Sequence, residues 1–374
     1  MKICMLTTVH PPFDTRIFHK ESKSLLKPGH SVTIIAPSES ANEEYVDGVK
    51  IIKVKKASSK ILHPLTMVRV FIAGLRGDFD VYHCHEPGSL LVCTLLKLMK
   101  RNKLVYDAHE HYPSLMSEDS IFPKISKRSI SFFVDTCEKF LCASADCIIT
   151  VNHSLEERFR NIKETTILFN VPKLDIFTLS NPAIRSRRIV YAGNVSRKRG
   201  LDKLLLSMPQ IVNKFHDVEL LVVGKISDSK EFEKWVHSYT EDHSLIQNFR
   251  VTGWVPHTKV VEYIEKSDIG IILFQPTYYN NIIGLPNKLF EYMACGIPVV
   301  GSNFPEIRKV VEGSECGLLV DPTNVQEIKD AILWLLEHPD EAKQMGKNGR
   351  SATEELYNWE KMELRLFKIY EDLA

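Results

Sequence analysis

A segment bounded by glycine and proline in the last third of the chain combines residue types that suit a nucleotide. Gly284 and Pro286 predict a loop, residues 286–295 have helical spacing with proline in the first turn, and Gly296 ends the helix before an apolar strand. The first turn of such a helix has free backbone N–H groups at the positive end of its dipole, so the loop favours a phosphate. Glu291 lies further along, where a carboxylate can accept hydrogen bonds from hydroxyl groups.

Phosphate and diol together favour a nucleotide. Lys288 supports an anion, because a cation in the first helical turn is unfavourable against the dipole by about a few tenths of a kcal/mol unless an anion compensates it. The alternatives are an ordinary crossover helix with a satisfied, buried Glu291 and an exposed Lys288. The segment by itself leaves them open.

Polar residues also follow apolar strands in the first half of the chain. In an open α/β sheet, ligands bind at the carboxyl edge of the strands, so these residues are candidates for a second site. A lone histidine is more often structural than functional, and that alternative stays open for each of them. They are His10, His85, Glu86, Asp107, His109 and Glu110.

Alternating strands and helices predict the fold class. Strand, helix and strand fill residues 3–36 as a βαβ unit, and further units follow, so the first half predicts a doubly wound parallel sheet. A polar stretch broken by Pro172 and Pro182 predicts a hinge at 171–187. A second doubly wound domain begins at residue 188. Two Rossmann-like domains of this kind would face each other across a cleft, one holding the nucleotide and the other the acceptor.

Composition narrows the class of function. The chain has 374 residues and a formal net charge of +1, which argues against a nucleic-acid-binding protein. Its eight cysteines include no C-x-x-C pair and lie mostly in apolar runs, which predicts reduced, structural thiols. The chain opens without a signal-peptide pattern, and it contains no run of about 20 apolar residues. We therefore expect a cytoplasmic protein.

Several motifs in a fixed order resemble one enzyme family. The first half contains DVYHCH at 80–85 and LVYDAHE at 104–110, and the second half contains RGLD at 199–202, VTGWV at 251–255, SDIG at 267–270 and LPNKLFEYMACGIPVV at 285–300. Together they resemble the retaining glycosyltransferases of family 4, which have the GT-B fold. The resemblance spans almost the whole chain. It implies an acceptor-side domain at 1–170, a donor-binding domain at 188–357, and a last helix at 358–374 that returns to the first domain.

The resemblance implies a donor site in the second domain. Arg199 occupies the position that supplies a cation to the donor diphosphate, a role suited to a group that is always charged and can bond two oxygens. Glu291 occupies the position that binds the ribose hydroxyls. Two positions depart from the common pattern: Asn194 replaces a second arginine, and Ile283 replaces a first glutamate. The predicted donor residues are Gly193, Asn194, Arg199, Gly253, Gly284, Leu285, Pro286, Asn287, Lys288 and Glu291.

On the acceptor side, the resemblance places His109 close to the transferred sugar. His10 and His85 are further candidates, Glu110 is expected to orient His109 or to cap the next segment, and Arg16 is expected to meet an anionic acceptor or the leaving diphosphate. Retaining transfer of this type needs stabilisation of leaving-group charge more than a strong base. Arg199, Lys288 and helix N–H groups would supply it, with His109 beside the sugar. No cofactor and no metal are expected, because these cations and N–H groups would stabilise the leaving diphosphate without one.

The sequence therefore predicts a retaining glycosyltransferase that moves a sugar from a nucleotide-diphosphate sugar to a glycan or a lipid-linked acceptor. The alternatives are a GT-B enzyme that acts on the nucleotide sugar itself, such as an epimerase, and a catalytically silent nucleotide-sugar-binding partner. Residues 122–133 mix Lys124, Lys127 and Arg128 with apolar groups. Such a face suits anionic lipid at the inner face of a membrane, or it covers the protein's own sheet.

Overall fold

A computed structural model describes residues 1–118, 127–177 and 187–374. The chain divides into two compact units. Unit 1 comprises Met1–Asn170 and Glu360–Ala374, and unit 2 comprises Val171–Trp359. Each unit has an α/β architecture with its own apolar core.

Unit 1 contains one mostly parallel sheet. Its central strands are buried along most of their length because helices cover both faces. The strands are β1 Lys2–Leu6, β2 Ser31–Ser38, β3 Asn42–Val46, β4 Val49–Lys55, β5 Val81–Cys84, β6 Lys103–Ala108, β7 Cys147–Thr150 and β8 Thr165–Ile167. In the described residues of unit 1 their order is β3-β4-β2-β1-β5-β6-β7-β8. The chain reverses direction across the sheet between β1 and β5, and ligands of such sheets bind at this switch point.

The helices of unit 1 connect these strands. The first begins with a π-helical turn at Ile17–Ser22 and continues as α1 Lys23–Leu26. The others are α2 His63–Arg76, α3 Pro87–Lys100, α4 Tyr112–Glu118, α5 Lys127–Cys142, α6 His153–Phe159 and α15 Trp359–Leu373. Over the ranges that the structure describes, no helix has both the length and the apolar character required to cross a bilayer.

One strand of unit 1 was not predicted and is not parallel. β3 pairs antiparallel with β4, and Val46 faces Val49 across a two-residue turn. Asp47 and Gly48 both have positive φ, 50° and 83°. An Asp-Gly pair suits such a hairpin because both central residues need positive φ. The sheet of unit 1 therefore has an antiparallel edge.

Unit 2 contains a second sheet whose registered pairs are all parallel. Its strands are β9 Arg188–Ala192, β10 Glu219–Val223, β11 Phe249–Val251, β12 Ile269–Ile272, β13 Val299–Ser302 and β14 Gly317–Val320. Their order in the described residues is β11-β10-β9-β12-β13-β14. The switch point lies between β9 and β12, so the loops after these two strands flank the expected ligand position.

The helices of unit 2 cover this sheet. They are α7 Leu201–Lys214, α8 Lys230–Asp242, α9 His257–Glu265, α10 Tyr279–Ile283, α11 Asn287–Ala294, α12 Pro305–Gly313, α13 Val325–Glu337 and α14 Pro339–Glu355. Tyr292 fixes α11 on the sheet: its hydroxyl oxygen accepts a hydrogen bond from Ala192 N at 2.9 Å, at the end of β9. Its ring packs where a Cβ at Gly270 would overlap it. This contact determines where the amino end of α11 lies.

Candidate active site

The turn after β9 presents a cation beside the switch point of unit 2. Arg197–Arg199 form a short 3-10 turn that ends at Gly200, where φ is +82°. A Cβ at Gly200 would overlap the carbonyl oxygen of Leu273, just after β12. Only glycine combines this conformation with this close approach. The loops after β9 and β12 therefore touch, and Arg199 is held where they meet.

The guanidinium of Arg199 packs on an aromatic ring. Its Cζ lies 4.4 Å from the centroid of Phe274, which follows β12. The carbonyl oxygen of Arg199 accepts a hydrogen bond of 2.8 Å from the Tyr191 hydroxyl. Among the described residues, no carboxylate forms an ion pair with this guanidinium, so its charge is free for a ligand.

Lys288 lies in the first turn of α11 and approaches two aromatic rings, those of Tyr191 and Phe274. Its Nζ is 4.0 Å from the centroid of Tyr191 and 5.9 Å from that of Phe274. The residue is buried, with 8% of its surface exposed. Its Nζ has no hydrogen-bond partner within the described ranges. A buried ammonium without an acceptor is costly, and a bound anion would remove that cost.

The environment of Lys288 changes its ionisation. Burial lowers the pKa of its ammonium, and the positive charge of Arg199 lowers it further, while Glu291 acts in the opposite direction. The result is a pKa of about 7, against an ordinary 10.5. Two cationic side chains therefore converge without an anion between them, and one gives up its proton near neutral pH as a consequence.

The loop before α11 is braced by hydrogen bonds. The Asn281 side-chain amide donates to the carbonyl oxygens of Lys198 at 3.1 Å and of Gln275 at 2.9 Å. A Cβ at Gly284 would overlap the Asn280 carbonyl oxygen, so the chain needs glycine there. Pro286 caps the helix in an extended conformation. The N–H groups at its amino end therefore have a fixed direction.

The remaining predicted donor residues line the same edge. Leu285 is half-buried in the loop, and Asn287 is exposed at the first position of α11. Gly193 follows β9 with φ of +102°, and Gly253 follows β11 with φ of +72°. A Cβ at either position would meet open space. Asn194 accepts a hydrogen bond from the Ser227 hydroxyl. Asn194 therefore braces its loop.

Glu291 has a partner that the sequence did not indicate. Its Oε1 lies 2.9 Å from Nε2 of His257, the first residue of α9. Glu291 is largely buried, while the His257 side chain is half exposed. A ribose at Glu291 would share the carboxylate with this imidazole. His257 is thus a partner of the predicted donor residue Glu291 that the structure identifies.

In unit 1, a buried carboxylate contacts the predicted active-site histidine. His109 follows β6, its side chain is 15% exposed, and its Nε2 lies 2.9 Å from Oδ2 of Asp107. Burial by itself would raise the pKa of Asp107, but the charge of Arg16 and the contact with His109 outweigh it and hold that pKa well below its usual range. Asp107 is therefore an anion that orients His109.

The loop after β1 meets the loop after β5 at the switch point of unit 1. Thr7 and Thr8 donate hydroxyl hydrogen bonds to the Glu86 carboxylate at 2.9 and 2.8 Å, and Glu86 also caps α3. His10, in the first loop, lies 5.8 Å from His109 between ring centroids. Burial would lower the pKa of His10, but Asp14, Glu86 and Glu110 outweigh it, so the pKa is raised. His10 and His109 therefore form a pair whose side chains are 28% and 15% exposed.

Three predicted acceptor residues need correction. Arg16 is buried, and its guanidinium donates to Asp107 at 2.9 and 3.2 Å and to the Leu168 carbonyl oxygen at 3.0 Å, so it has no face for an acceptor or a leaving diphosphate. His85 is fully buried, with its ring 4.8 Å from that of His83 and 5.5 Å from that of His109, so it has no surface for an acceptor. Glu110 is exposed, and Asp107 rather than Glu110 orients His109.

The sequence missed the aromatic pair Tyr191 and Phe274, Asp107 as a partner of His109, and His257. A usable signal existed for Asp107, which lies two residues before His109 on a predicted strand, so both side chains point to one face. No local pattern links His257 to Glu291, because 34 residues separate them.

Two family models match the chain. One, described as glycosyl transferases group 1, covers residues 180–352. The other, glycosyltransferase family 4, covers residues 15–167. This chain belongs to the group 1 (family 4) glycosyltransferases. The prediction from the sequence motifs is confirmed.

Relatives of this glycosyltransferase are distant but extend over most of its length. An uncharacterised glycosyltransferase of Methanocaldococcus jannaschii is 24% identical over 324 residues, which is 82% of this chain and 78% of the relative. The phosphatidyl-myo-inositol mannosyltransferase of Mycolicibacterium smegmatis is 23% identical, covering 92% of this chain and 86% of the relative.

Solved structures confirm the fold class. Sucrose-phosphate synthase from Thermosynechococcus elongatus matches with a TM-score of 0.80 at 20% identity, covering 100% of this chain and 99% of that one. Anabaena HepE in complex with UDP matches with a TM-score of 0.73 at 15% identity, covering 100% of both chains. This glycosyltransferase therefore has the predicted GT-B fold with two Rossmann-like domains.

Proposed function

We propose that this glycosyltransferase transfers a sugar, with retention of configuration and without a metal ion, from a nucleoside-diphosphate sugar bound in unit 2. Arg199 and Lys288 bind the diphosphate, Glu291 binds the ribose, and His109 of unit 1 acts beside the transferred sugar. The acceptor is a glycan or a lipid-linked glycan.

One observation carries the proposal: the buried Lys288 ammonium has no acceptor within the described residues and approaches the Phe274 ring on which the Arg199 guanidinium packs. Two like charges in a buried site repel each other unless an anion lies between them. A diphosphate brings the charge that both need. The N–H groups at the amino end of α11 add donors for the same anion.

The same pair of cations supports transfer without a metal. As the glycosidic bond breaks, negative charge accumulates on the leaving diphosphate, and fixed cations stabilise it more in the transition state than in the ground state. Departure of this group on the face where the acceptor hydroxyl attacks gives retention without an enzymatic nucleophile. Added Mg²⁺ or Mn²⁺ is therefore expected to leave the transfer rate unchanged.

A binding panel of nucleotides identifies the base of the donor. Solved relatives contain UDP and UDP-glucose, and one curated relative is named a GDP-mannose-dependent mannosyltransferase. We propose to measure binding of UDP, GDP, ADP and dTDP by calorimetry, followed by transfer and hydrolysis of the matching sugars. Failure of every nucleotide to bind would contradict the proposal.

Matched arginine variants test the diphosphate assignment. Arg199→Gln is expected to abolish transfer and to weaken nucleotide binding. Arg197→Gln is the control, because Arg197 packs 4.9 Å from the Phe232 ring centroid rather than on Phe274. Equal losses in both variants would indicate a general effect of charge. Tight binding without transfer would favour the silent partner, and interconversion of the nucleotide sugar would favour the epimerase-like enzyme.

A membrane surface is part of the proposal for the acceptor. The predicted basic segment lies partly outside the described residues, at 122–126, and its remainder begins α5. Phe133 and Phe140 share one face of α5, seven residues apart, and are 68% and 79% exposed. Lys127 and Arg128 stand at the amino end of the same helix. Exposed rings with nearby cations suit an anionic bilayer.

Vesicle flotation tests this surface. The protein is expected to float with vesicles that contain anionic lipid at low salt, and Phe133→Ser with Phe140→Ser should reduce the floating fraction. Phe13→Ser, at another exposed ring of unit 1, is the control. No flotation at low salt would contradict membrane contact while leaving the donor assignment untouched.

A further inference from the structure

A second group of chemically active side chains lies inside unit 1, below the loops that bear His10 and His109. It consists of Glu21 from the π-helical turn, His83 and His85 around the end of β5, and Asp107 from β6. All four side chains are fully buried. Each offers one nitrogen or oxygen atom, and these atoms all lie within 4.8 Å of one another. No other such group occurs in the described ranges.

The spacing of the four atoms is too long for hydrogen bonds. His83 Nε2 lies 4.0 Å from both Glu21 Oε2 and Asp107 Oδ2. His85 Nδ1 lies 4.0 Å from Glu21 Oε2 and 3.7 Å from Asp107 Oδ2. Hydrogen bonds between such atoms span about 2.7–3.2 Å. The atoms face one another across a gap instead of bonding.

A cation fits that gap. Atoms separated by these distances at the corners of a tetrahedron lie about 2.3–2.4 Å from its centre, close to the roughly 2.0–2.2 Å of zinc bound to nitrogen and oxygen. A water molecule needs about 2.7–3.0 Å to each partner. A contraction of a few tenths of an ångström across these four nitrogen–oxygen separations would complete a metal site.

The gap-facing atoms also lack other partners. Among the described residues, Glu21 Oε2, His83 Nε2 and His85 Nδ1 have no hydrogen bond. Nearly all buried polar atoms in folded proteins have a hydrogen-bond partner. Three unpaired polar atoms within 4.8 Å of one another therefore indicate a ligand. The fourth atom, Asp107 Oδ2, is shared with Arg16 and His109.

Two carboxyl groups, Glu21 and Asp107, share the single guanidinium of Arg16. A bound dication would stabilise the charge of the second carboxylate in this buried site.

Outer contacts hold the four side chains in place, as is usual around metals. Arg16 Nε lies 2.8 Å from Glu21 Oε1 and 2.9 Å from Asp107 Oδ2, so one guanidinium fixes both carboxylates. His83 Nδ1 lies 2.9 Å from the hydroxyl of Tyr370 in α15. In the π-turn, Glu21 N bonds Arg16 O at 2.9 Å, so both side chains are directed toward the cluster.

We propose that Glu21, His83, His85 and Asp107 bind one divalent transition-metal ion in the interior of unit 1, with zinc the best fit. Two imidazole nitrogens and two carboxylate oxygens within 4.8 Å of one another suit zinc, which has no geometric preference of its own. The ion would be structural, because all four ligands are buried. It would also fix Asp107, and through Asp107 the ring of His109.

This proposal is independent of the donor site, whose residues Arg199, Lys288 and Glu291 belong to unit 2. Nucleotide binding without added metal and a metal ion inside unit 1 are therefore separate results, and either can fail alone.

The first experiment uses the wild-type chain without a histidine tag. Elemental analysis after gel filtration is expected to find about one zinc per chain, since buried structural sites retain their metal. Prolonged treatment with a strong chelator should lower the midpoint of thermal unfolding, and Zn²⁺ should restore it. Reconstitution with Co²⁺ should give visible absorption bands of a tetrahedral nitrogen and oxygen site.

Matched glutamate variants locate the ion. Glu21→Gln keeps the volume but removes the charge, and it is expected to lose the metal. Glu138→Gln is the control, a buried carboxylate of the same unit that binds Tyr106 and Arg158 at 2.5 Å each. The control is expected to retain the metal. His85→Gln should behave as Glu21→Gln does.

The proposal is overturned if wild-type protein contains no stoichiometric metal and neither Zn²⁺ nor Co²⁺ changes its unfolding or its spectrum. The cluster would then hold only a proton or a water molecule. Equal metal content in Glu21→Gln and Glu138→Gln would also overturn it. Should Glu21→Gln fail to fold, the wild-type metal content and the Co²⁺ spectrum decide alone.

Discussion

The ammonium nitrogen of Lys288 lies 4.0 Å from the centre of the Tyr191 ring, in a site where no described acceptor bonds it. The face of an aromatic ring attracts a cation without removing its capacity to bind an anion. Tyr191 thereby holds Lys288 in position for a ligand that is absent from the free protein. The cost of keeping this charge buried is visible in its pKa of about 7.

Nucleotide binding is expected to take up a proton. In the free protein the pKa of Lys288 is about 7, so the amine is mostly neutral at pH 8. A diphosphate favours the charged form of Lys288 and raises its pKa. Binding at pH 8 should therefore take up close to one proton per site. Below the free pKa the amine is already charged, and uptake should fade.

Calorimetry in buffers of different ionisation enthalpy measures this uptake. Lys288→Met should abolish it and weaken binding by about 1.5–3 kcal/mol, the usual value of a hydrogen bond to a charged group. This free energy corresponds to roughly a 10- to 150-fold increase in the Kd of the nucleotide. Arg197→Gln should take up protons as the wild type does. Equal uptake by Lys288→Met would exclude Lys288 as the titrating group.

The role of Glu291 is expected to depend on the ribose hydroxyls. Wild-type protein should bind a nucleoside diphosphate more tightly than its 2′,3′-dideoxy analogue, because the carboxylate loses its donors in the latter. In Glu291→Ala the two nucleotides should bind equally. Competition binding measures the ratio. A preference that survives the substitution would place the ribose elsewhere.

Three glycine substitutions in unit 2 separate strain from overlap. Gly200→Ala is expected to destabilise most, since its left-handed backbone costs about 1–2 kcal/mol and overlap with Leu273 adds about 1–3 kcal/mol. Gly253→Ala has only the strain, because a Cβ there meets open space at φ of +72°. Gly313→Ala has neither and should stabilise helix α12 by up to about 1 kcal/mol.

The unfolding transition of unit 2 is first identified in the wild type as the one that nucleotide shifts. Calorimetric unfolding of the variants without nucleotide then gives the order of their stabilities from that transition. Gly200→Ala should also impair nucleotide binding, because Arg199 precedes the glycine. If Gly200→Ala and Gly253→Ala unfold alike, the contact between the loops after β9 and β12 does not carry the energy assigned to it.

His109→Ala is expected to separate transfer from donor binding. A group that acts beside the reacting sugar contributes typically about 10²–10⁴-fold to the rate, whereas nucleotide affinity depends on unit 2. Transfer should therefore fall within that range at unchanged Kd for the nucleotide. His111→Ala, two residues further along, is the control. Unchanged turnover in His109→Ala would remove this histidine from the proposed site.

The arrangement of elements was largely predictable because it depends on local patterns. Apolar runs with polar carboxyl ends located β1, β5, β6 and β9, and the glycine and proline around α11 located its ends to within about two residues. The Asp47-Gly48 turn carried a hairpin signal that the strand assignment overlooked. The family and the GT-B fold followed from the order of the motifs and are confirmed.

Side-chain partners were less predictable because burial depends on the whole fold. Arg16 has the residue type of an anion site, and only tertiary structure reveals that Asp107 and Glu21 occupy its guanidinium. His85 and His109 both follow strands, yet His85 is fully buried and His109 keeps 15% of its side chain exposed. The pair Glu291 and His257 joins two helices, and no spacing rule connects them.

The sequence order of unit 1 has a consequence for synthesis. Tyr370 reaches the interior of this unit at His83, and Arg365 donates a 3.1 Å hydrogen bond to the carbonyl oxygen of Ile167. The first unit to leave the ribosome is thus the last whose structure is completed, since α15 must be translated before these contacts form. Premature termination after residue 359 and before Tyr370 would leave unit 2 whole and remove the side chain that covers His83 in the buried cluster.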